Sequence, residues 1–424
     1  MIQWLPWAGD AFARAAREGK PVLLSITAAW CRACHEMDRT TYADRDVAAL
    51  VNDRFIAVRV DTDRRPDINE RYNLGGWPTT AFLTPAGDLM TGGTFVSAER
   101  MPLVLERVAA EYSAASSALA NAATADAVEE PAGETSDVDD ATLVARIFAS
   151  FDEDYGGFGI EPKFPHTAPL HLAIVLLRET SDPRWETIVV RTLDAMAGGG
   201  LWDDAAGGFY RYASTRDWQL PHREKLLETN AALLRVFAEA ALVLGRDQDR
   251  ERCRDIAAFI TTTLRTDHGY AGSDAESTIY VDANATAAGA LLGAATVLDD
   301  SDLAREAMAS FERVALTCYK PGLGMAHYFD GEPRVRGLLA DQVAVIAALL
   351  DAYDVSADEP YRMMAEELSH IIVRDLWDPA AGGFFDRAPS ADDVGLLRQQ
   401  PGDSAVGVGV SVVERELDQL EARG

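Results

Sequence analysis

Apolar and polar positions follow two different rhythms along this chain. In the first 112 residues, short apolar runs alternate with helical patterns. Pro21-Val-Leu-Leu-Ser-Ile-Thr27 and Phe55-Ile-Ala-Val-Arg-Val60 are near-continuous apolar runs, as expected of strands covered on both faces. Thr79–Thr84 predicts a third strand, and Pro85-Ala-Gly-Asp88 a turn into a short edge strand. Gly9–Glu18 predicts an amphipathic helix, with Phe12 and Ala16 opposite Arg14 and Arg17. Further helices are predicted over Glu36–Asn52, with a break near Ala43-Asp44, and over Pro66–Asn73 and Glu99–Tyr112. Residues 1–112 therefore read as an α/β sandwich over a mixed sheet. Residues 113–137, rich in Ala, Ser, Glu and Thr, read as a linker.

From Asp139 onward the pattern is helical, and it repeats. Gly-aromatic turns recur at Asp154-Tyr-Gly-Gly-Phe158, Ala206-Gly-Gly-Phe-Tyr210, His268-Gly-Tyr270, Gly324-Met-Ala-His-Tyr328 and Ala381-Gly-Gly-Phe-Phe385. Each interval has room for two helices, which places every such turn at the same end of the assembly. Stacked hairpins of this kind close into an all-α (α/α)n toroid over residues 138–424, with a pocket at one end. About ten helices are legible where a complete six-hairpin toroid has twelve, so the toroid is expected to be incomplete near its C-terminus.

Charge narrows the function classes. The chain has 68 acidic against 39 basic residues, a formal net charge of −29. Such a surface repels nucleic-acid phosphates and anionic lipid heads, so neither nucleic acid nor membrane is an expected partner. Four of the basic residues are lysines (Lys20, Lys163, Lys225, Lys320) and the rest arginines. This acidic, lysine-poor composition is similar to that of proteins from halophilic archaea. The N-terminal residues lack a basic, then apolar, leader pattern, and the longest apolar stretch, Ala285–Leu298, is short for a spanning helix. A cytoplasmic location is expected.

Two of the four cysteines form the motif Cys31-Arg32-Ala33-Cys34, between a buried strand and a helix. Helix N-terminal N–H groups and Arg32 favour a thiolate at Cys31, and Cys34 lies one turn further in, placed to resolve a mixed disulfide. Gly75-Gly-Trp-Pro-Thr79 precedes the third strand, where a thioredoxin fold places a cis-proline facing the cysteines. Pro78 is the candidate, with Trp77–Pro78 the cis bond. A zinc site on Cys31, Cys34 and His35 is disfavoured, since adjacent Cys34 and His35 point to different helix faces and no second ligand pair is evident. No metal or cofactor is expected. A pair that no longer turns over remains the alternative. Cys253, in register with Ile256, Ala257 and Ile260, and Cys318 read as structural.

In the helical part, polar residues cluster after the Gly-aromatic turns: Lys163 and His166; His222, Glu224 and Lys225, with Asn230 further along; Asp274 and Glu276; and Asp341 beside Gln342. His222, Glu224 and Lys225 at a helix N-terminus suit acid–base work on a sugar, and Asp204 with Glu224 offers a carboxylate pair. The competing reading is a network of salt bridges and caps that holds the hairpins together.

Several motifs resemble the thioredoxin-like domain of the spermatogenesis-associated protein 20 family: Trp4…Pro6-Trp7, Cys31-x-x-Cys34-His35-x-Met37, Arg65-Pro66-Asp67-Ile68, and Gly75-Gly-Trp-Pro78…Phe82-Leu-Thr-Pro85. Gly156-Gly-Phe-Gly159…Pro162-Lys-Phe-Pro-His166, Gly207-Gly-Phe-Tyr-Arg-Tyr212…Pro221-His222-x-Glu224-Lys225 and Gly337-Leu-Leu-x-Asp341-Gln342 are similar to that family's second domain. The resemblance implies a thioredoxin-like domain followed by a six-hairpin glycosidase-like toroid. Arg32-Ala33 stands where the family usually carries His-Trp, and the family's last repeats are missing. Three functions follow as expectations. The first is a thiol–disulfide oxidoreductase acting on a protein or small-molecule disulfide, with the toroid selecting or presenting substrate. The second is a carbohydrate-processing toroid, epimerase- or hydrolase-like, with a regulatory redox domain and a carbohydrate ligand. The third is a non-catalytic binding or scaffold protein.

Overall fold

The computed structural model describes residues 1–121, 140–379, 383–390 and 394. These fall into two compact units. One contains the described residues up to Asn121 and those from Asp375 to Val394; the other contains Asp140–Arg374.

The first unit runs α1 (Gly9–Glu18), β1 (Val22–Thr27), α2 (Arg32–Thr40), α3 (Arg45–Arg54), β2 (Ile56–Asp61), α4 (Pro66–Tyr72), β3 (Thr79–Leu83), β4 (Leu89–Gly93) and α5 (Met101–Asn121). The sheet order is β2-β1-β3-β4, with β1 parallel to β2 and antiparallel to β3. Leu5 extends it by bridging Val58 in parallel. Val22, Leu24 and Ile26 pack on one face with Trp7, Phe12 and Val58. Leu23 packs on the other with Met37, Val51, Phe82 and Leu105. The period of two thus feeds two separate cores, and the first three residues of β1 are all apolar because both are dry.

Boundaries differ from the sequence expectation where caps intervene. Helix α2 starts at Arg32, not Glu36, because Cys31 caps it. The break at Ala43-Asp44 arises because Asp44 Oδ1 accepts the N–H groups of Asp46 and Val47, at 2.9 and 3.0 Å, and opens α3. Helix α5 continues to Asn121, through the first part of the segment expected as a linker; its Ala-rich sequence sustains a helix. The rest of that segment, 122–137, lies outside the described residues.

In the second unit the helices are α6 (Asp140–Ser150), α7 (Ala168–Thr180), α8 (Pro183–Gly198), α9 (Leu227–Leu244), α10 (Asp247–Ala258), α11 (Val281–Leu298), α12 (Ser301–Cys318), α13 (Leu339–Ser356) and α14 (Glu359–Leu376), whose last residues pass into the first unit. Short strands sit in the connections: β5 (Tyr212–Ala213), β6 (Pro221–His222), β7 (Ile279–Tyr280), β8 (Tyr319–Lys320), β9 (Gly324–Phe329) and β10 (Pro333–Arg336). Helices α7, α9, α11 and α13 pack in series, and α8, α10 and α12 each cover the helix before them. This is the inner and outer ring of an α/α toroid. Each interval between Gly-aromatic turns holds two helices, as the repeat predicted. Helix α11, the one described helix long and apolar enough to cross a membrane, is packed between α9, α12 and α13.

One assignment is corrected. The sequence placed everything after residue 138 in the toroid, but the described residues from Asp375 belong with the thioredoxin-like unit. There β11 (Trp377–Asp378) pairs with β12 (Gly383–Phe384), and Val394 enters the core beside Trp7 and Tyr72. Arg387, nearly buried, joins Asp67 at 3.1 Å. A buried cation needs its carboxylate, and here that partner lies in α4.

Candidate functional site

The cysteine motif is assembled by a cap and two indoles. Cys31 and Cys34 are joined as a disulfide with Cα atoms 5.2 Å apart. Cys31 Sγ also accepts the Cys34 N–H at 3.0 Å, so the sulfur sits where the first turn of α2 presents its free donors. Trp30 and Trp77 pack against the pair, with their rings edge-to-face at 5.3 Å. Both indoles are pinned: Trp30 Nε1 donates to Asp63 at 2.6 Å, and Trp77 Nε1 to Asn69 at 3.1 Å. Asp61 builds the turn that presents Asp63, its Oδ1 accepting from the N–H groups of Asp63 and Arg64. Burial raises the Asp61 carboxyl above its ordinary value, against those hydrogen bonds.

The Trp77–Pro78 peptide is cis. Its loop is held by Asn73 Oδ1, which accepts the N–H groups of Gly75 and Gly76 at 2.8 and 3.0 Å. Gly75 has φ +91°, a region that demands glycine. The other cysteines are shut away: burial pushes the Cys253 thiol up to about 12 and that of Cys318 up to about 11.

In the helical unit, two of the charged residues singled out by sequence, Lys163 and Lys225, stabilise turns. Lys163 is fully buried; its Nζ donates to Asp152 Oδ2 and Gly156 O at 2.8 Å and to Gly159 O at 2.9 Å. Lys225 repeats the arrangement one hairpin later, donating to Asp203 Oδ2 at 2.7 Å and Gly207 O at 2.6 Å. Lys163 and Lys225 are therefore corrected from pocket candidates to pins of the Asp-x-x-x-Gly-Gly turns. Burial alone would raise Asp152, but Arg216 and Lys163 override it and hold the carboxyl far below its ordinary range. Lys225 does the same for Asp203. Within these turns Gly157 has φ +75°, and a Cβ there would meet the Trp218 ring at 2.5 Å.

A second device clamps the aromatic turns by an amide. Asn230 takes the Phe209 N–H and donates to the carbonyls of Phe209 and Leu226. Asn284 does so with Tyr270 and Tyr280, and Gln342 with Met325 and Leu338.

The remaining candidates separate. His222 lies on β6 rather than at a helix N-terminus, stacked on Tyr212 at 4.0 Å, with Phe164 stacked on the other partner of that pair at 4.6 Å. His166 neighbours Phe164; burial first, then the Lys163 charge, lowers its pKa. Glu224 precedes α9 and carries a buried Oε2 without a hydrogen bond among the described residues. Asp204 lines a cleft of about 810 Å³ with Trp202, Asp249, Arg252 and Phe259, and Glu224 is not among the residues lining that cleft.

Asp341 instead meets residues the sequence reading missed. His327 Nδ1 lies 2.8 Å from Asp341 Oδ1, both deeply buried, and Asp282 completes a group whose ligand atoms lie within 4.8 Å of one another. Glu228 is electrostatically coupled to Asp282; desolvation first, then that neighbouring carboxylate, raises it. The signal was present in sequence as a repeated inner-helix start: Leu227-Glu-Thr-Asn230, Val281-Asp-Ala-Asn284 and Leu339-Ala-Asp-Gln342.

Comparison with known proteins separates the two units. Residues 1–129 match the Thioredox_DsbH family, described as "Protein of unknown function, DUF255". The chain is 31% identical to mouse (Mus musculus) spermatogenesis-associated protein 20 over 307 residues, 65% of this chain and 39% of that protein. The resemblance read from the motifs is upheld, and the chain spans about two-fifths of the length of such relatives. A shorter stretch of 82 residues, 19% of this chain and 14% of the other, is 35% identical to the thiol:disulfide interchange protein DsbD of Ralstonia nicotianae. The helical unit has the fold of cellobiose 2-epimerase from Spirochaeta thermophila, with a TM-score of 0.54 and 16% identity over 66% of this chain and 79% of that one. The protein is thus a thioredoxin-like domain followed by a glycosidase-like helical toroid.

Proposed function

We propose that the thioredoxin-like unit is a thiol–disulfide oxidoreductase in which Cys31 attacks and Cys34 resolves. The Cys31 sulfur at the first turn of α2, bonded to Cys34 and accepting its N–H, carries this reading. In the reduced state the Cys31 thiolate attacks a substrate disulfide and expels one substrate thiolate, which takes up a proton. Cys34, deprotonated, then attacks Cys31 Sγ, releases the second substrate thiolate and forms the Cys31–Cys34 disulfide. Two electrons pass to substrate, and a dithiol donor must return them. Similarity to a thiol:disulfide interchange protein supports the assignment.

Cys34→Ser in the full chain is expected to accumulate mixed disulfides on Cys31 that dithiothreitol releases, while Cys31→Ser traps nothing. A Cys31 thiol titrating at or above about 8.5, the ordinary cysteine value, would refute the activated nucleophile.

The toroid supports a second reading, a carbohydrate-binding or carbohydrate-processing module that sets what the redox unit meets. The Phe164–Tyr212–His222 stack offers aromatic faces of the kind sugars stack on, and the fold is shared with a sugar epimerase. A sugar panel showing neither turnover nor binding that His222→Ala weakens would overturn it.

A further inference from the structure

We propose that Asp282, His327 and Asp341 form a binding site for one divalent first-row transition-metal ion inside the helical unit. The proposal is independent of the redox reading, because the three residues lie on α11, β9 and α13 of the second unit.

Their side chains converge from three separate elements, with all ligand atoms within 4.8 Å of one another. The backbone under each is already tied down. Asn284, two residues after Asp282, is held to Tyr270 and Tyr280; Gln342, next to Asp341, is held to Met325, two residues before His327. A site carried on clamped elements keeps its geometry without the ligand, which lowers the ordering cost of binding.

A purely structural ion pair explains only part of the group. His327 and Asp341 meet at 2.8 Å, with side chains 3% and 0% exposed. Asp282 brings a second carboxylate to the same place. Two carboxylates and an imidazole gathered this closely suit a dication, which both carboxylates can bind directly. One nitrogen and two carboxylate donors, without a thiolate, suit Mn²⁺, Fe²⁺ or Zn²⁺ better than Ca²⁺ or Mg²⁺, which favour all-oxygen sets. Asp282 is half-buried, and water is the ligand that ordinarily completes a set of three protein donors.

The test uses the full chain, stripped with a chelator and titrated with MnCl₂ while free Mn²⁺ is followed by electron paramagnetic resonance, then with ZnCl₂ by calorimetry. The expected result is one ion per chain, with Asp282→Asn and His327→Gln each weakening binding more than about tenfold. Asp302→Asn, at an exposed position, should leave it unchanged. Saturating Mn²⁺ should raise the melting temperature of the wild type and not of Asp282→Asn. Absence of stoichiometric binding by the wild type overturns the proposal even if a variant fails to fold, as does equal binding by wild type and folded Asp282→Asn.

Discussion

Replacing Lys163 by Ala tests whether the toroid's first turn depends on a buried ammonium. The side chain is 0% exposed and donates to three acceptors, Asp152 Oδ2, Gly156 O and Gly159 O, at 2.8–2.9 Å. Deleting one partner of a buried ion pair costs about 3–5 kcal/mol. Asp152 would keep Arg216, bonded to both carboxylate oxygens at 2.8 Å, which places the effect at the lower end, about 3 kcal/mol. For a unit of this size that is a fall of about 6–12 °C in melting temperature. Scanning calorimetry of the full chain reads it directly. Lys163→Arg should not rescue, because a planar guanidinium cannot aim donors at three acceptors gathered around one point. Lys225→Ala should cost less, about 2 kcal/mol, since that ammonium has two acceptors among the described residues and Asp203 is 17% exposed. A loss below about 1 kcal/mol for Lys163→Ala, or full rescue by arginine, would refute the pin.

Other expectations follow from charge. Asp152 and Asp203 bind protons more weakly folded than unfolded, so their stabilisation is full above the unfolded carboxyl range, near pH 4, and is lost as pH falls below it. Acid melts of Lys163→Ala and wild type should therefore converge at low pH, and a gap that widens there would contradict the sign. Asp249 behaves oppositely: burial pushes it up to about 6, and Arg246 at 3.4 Å offsets only part of that. Asp249→Asn should stabilise the protein above pH 6, by up to about 2 kcal/mol, with the gain vanishing below about pH 4; a constant gain across pH would exclude titration as its cause. In the first unit, Arg387→Ala leaves Asp67 with Arg65 as its remaining cation among the described residues and should cost about 1–2 kcal/mol in urea unfolding, whereas an unchanged midpoint would show that the Asp375–Val394 segment adds nothing through this pair.

How far the sequence was readable depended on whether a feature was local. Strands β1–β3 announced themselves because both faces are buried, and the toroid because its turns repeat glycines that only left-handed backbone requires. The apolar periodicity picked up α2 only from Glu36, whereas the cysteine motif already marked the helix opening at Cys31, whose sulfur rather than a Ser or Asp takes the N–H. The return of Arg387 and Val394 to the first unit was invisible, since nothing near residue 387 signals a carboxylate at residue 67. The His327–Asp341 contact was hidden for the same reason: its partners are joined through two different turns.

The toroid also shows why its polar pattern misdirects. Each hairpin returns the chain through a buried turn whose N–H and C=O groups have no ladder to join, and they must be satisfied. The first two turns use a lysine, the second also an amide, and the next two an amide. Two of the four lysines in the whole chain are held at these pins, where an ammonium's donors fit and a guanidinium fork does not. The most conspicuous polar residues near the turns are thus committed to the backbone. Asp282 and Asp341 lie one or two positions from a clamping amide, and His327 two positions from the backbone that amide holds. The clamps set the places from which those groups meet, so the way to find chemistry in such a toroid is to subtract the clamps first and examine their immediate neighbours.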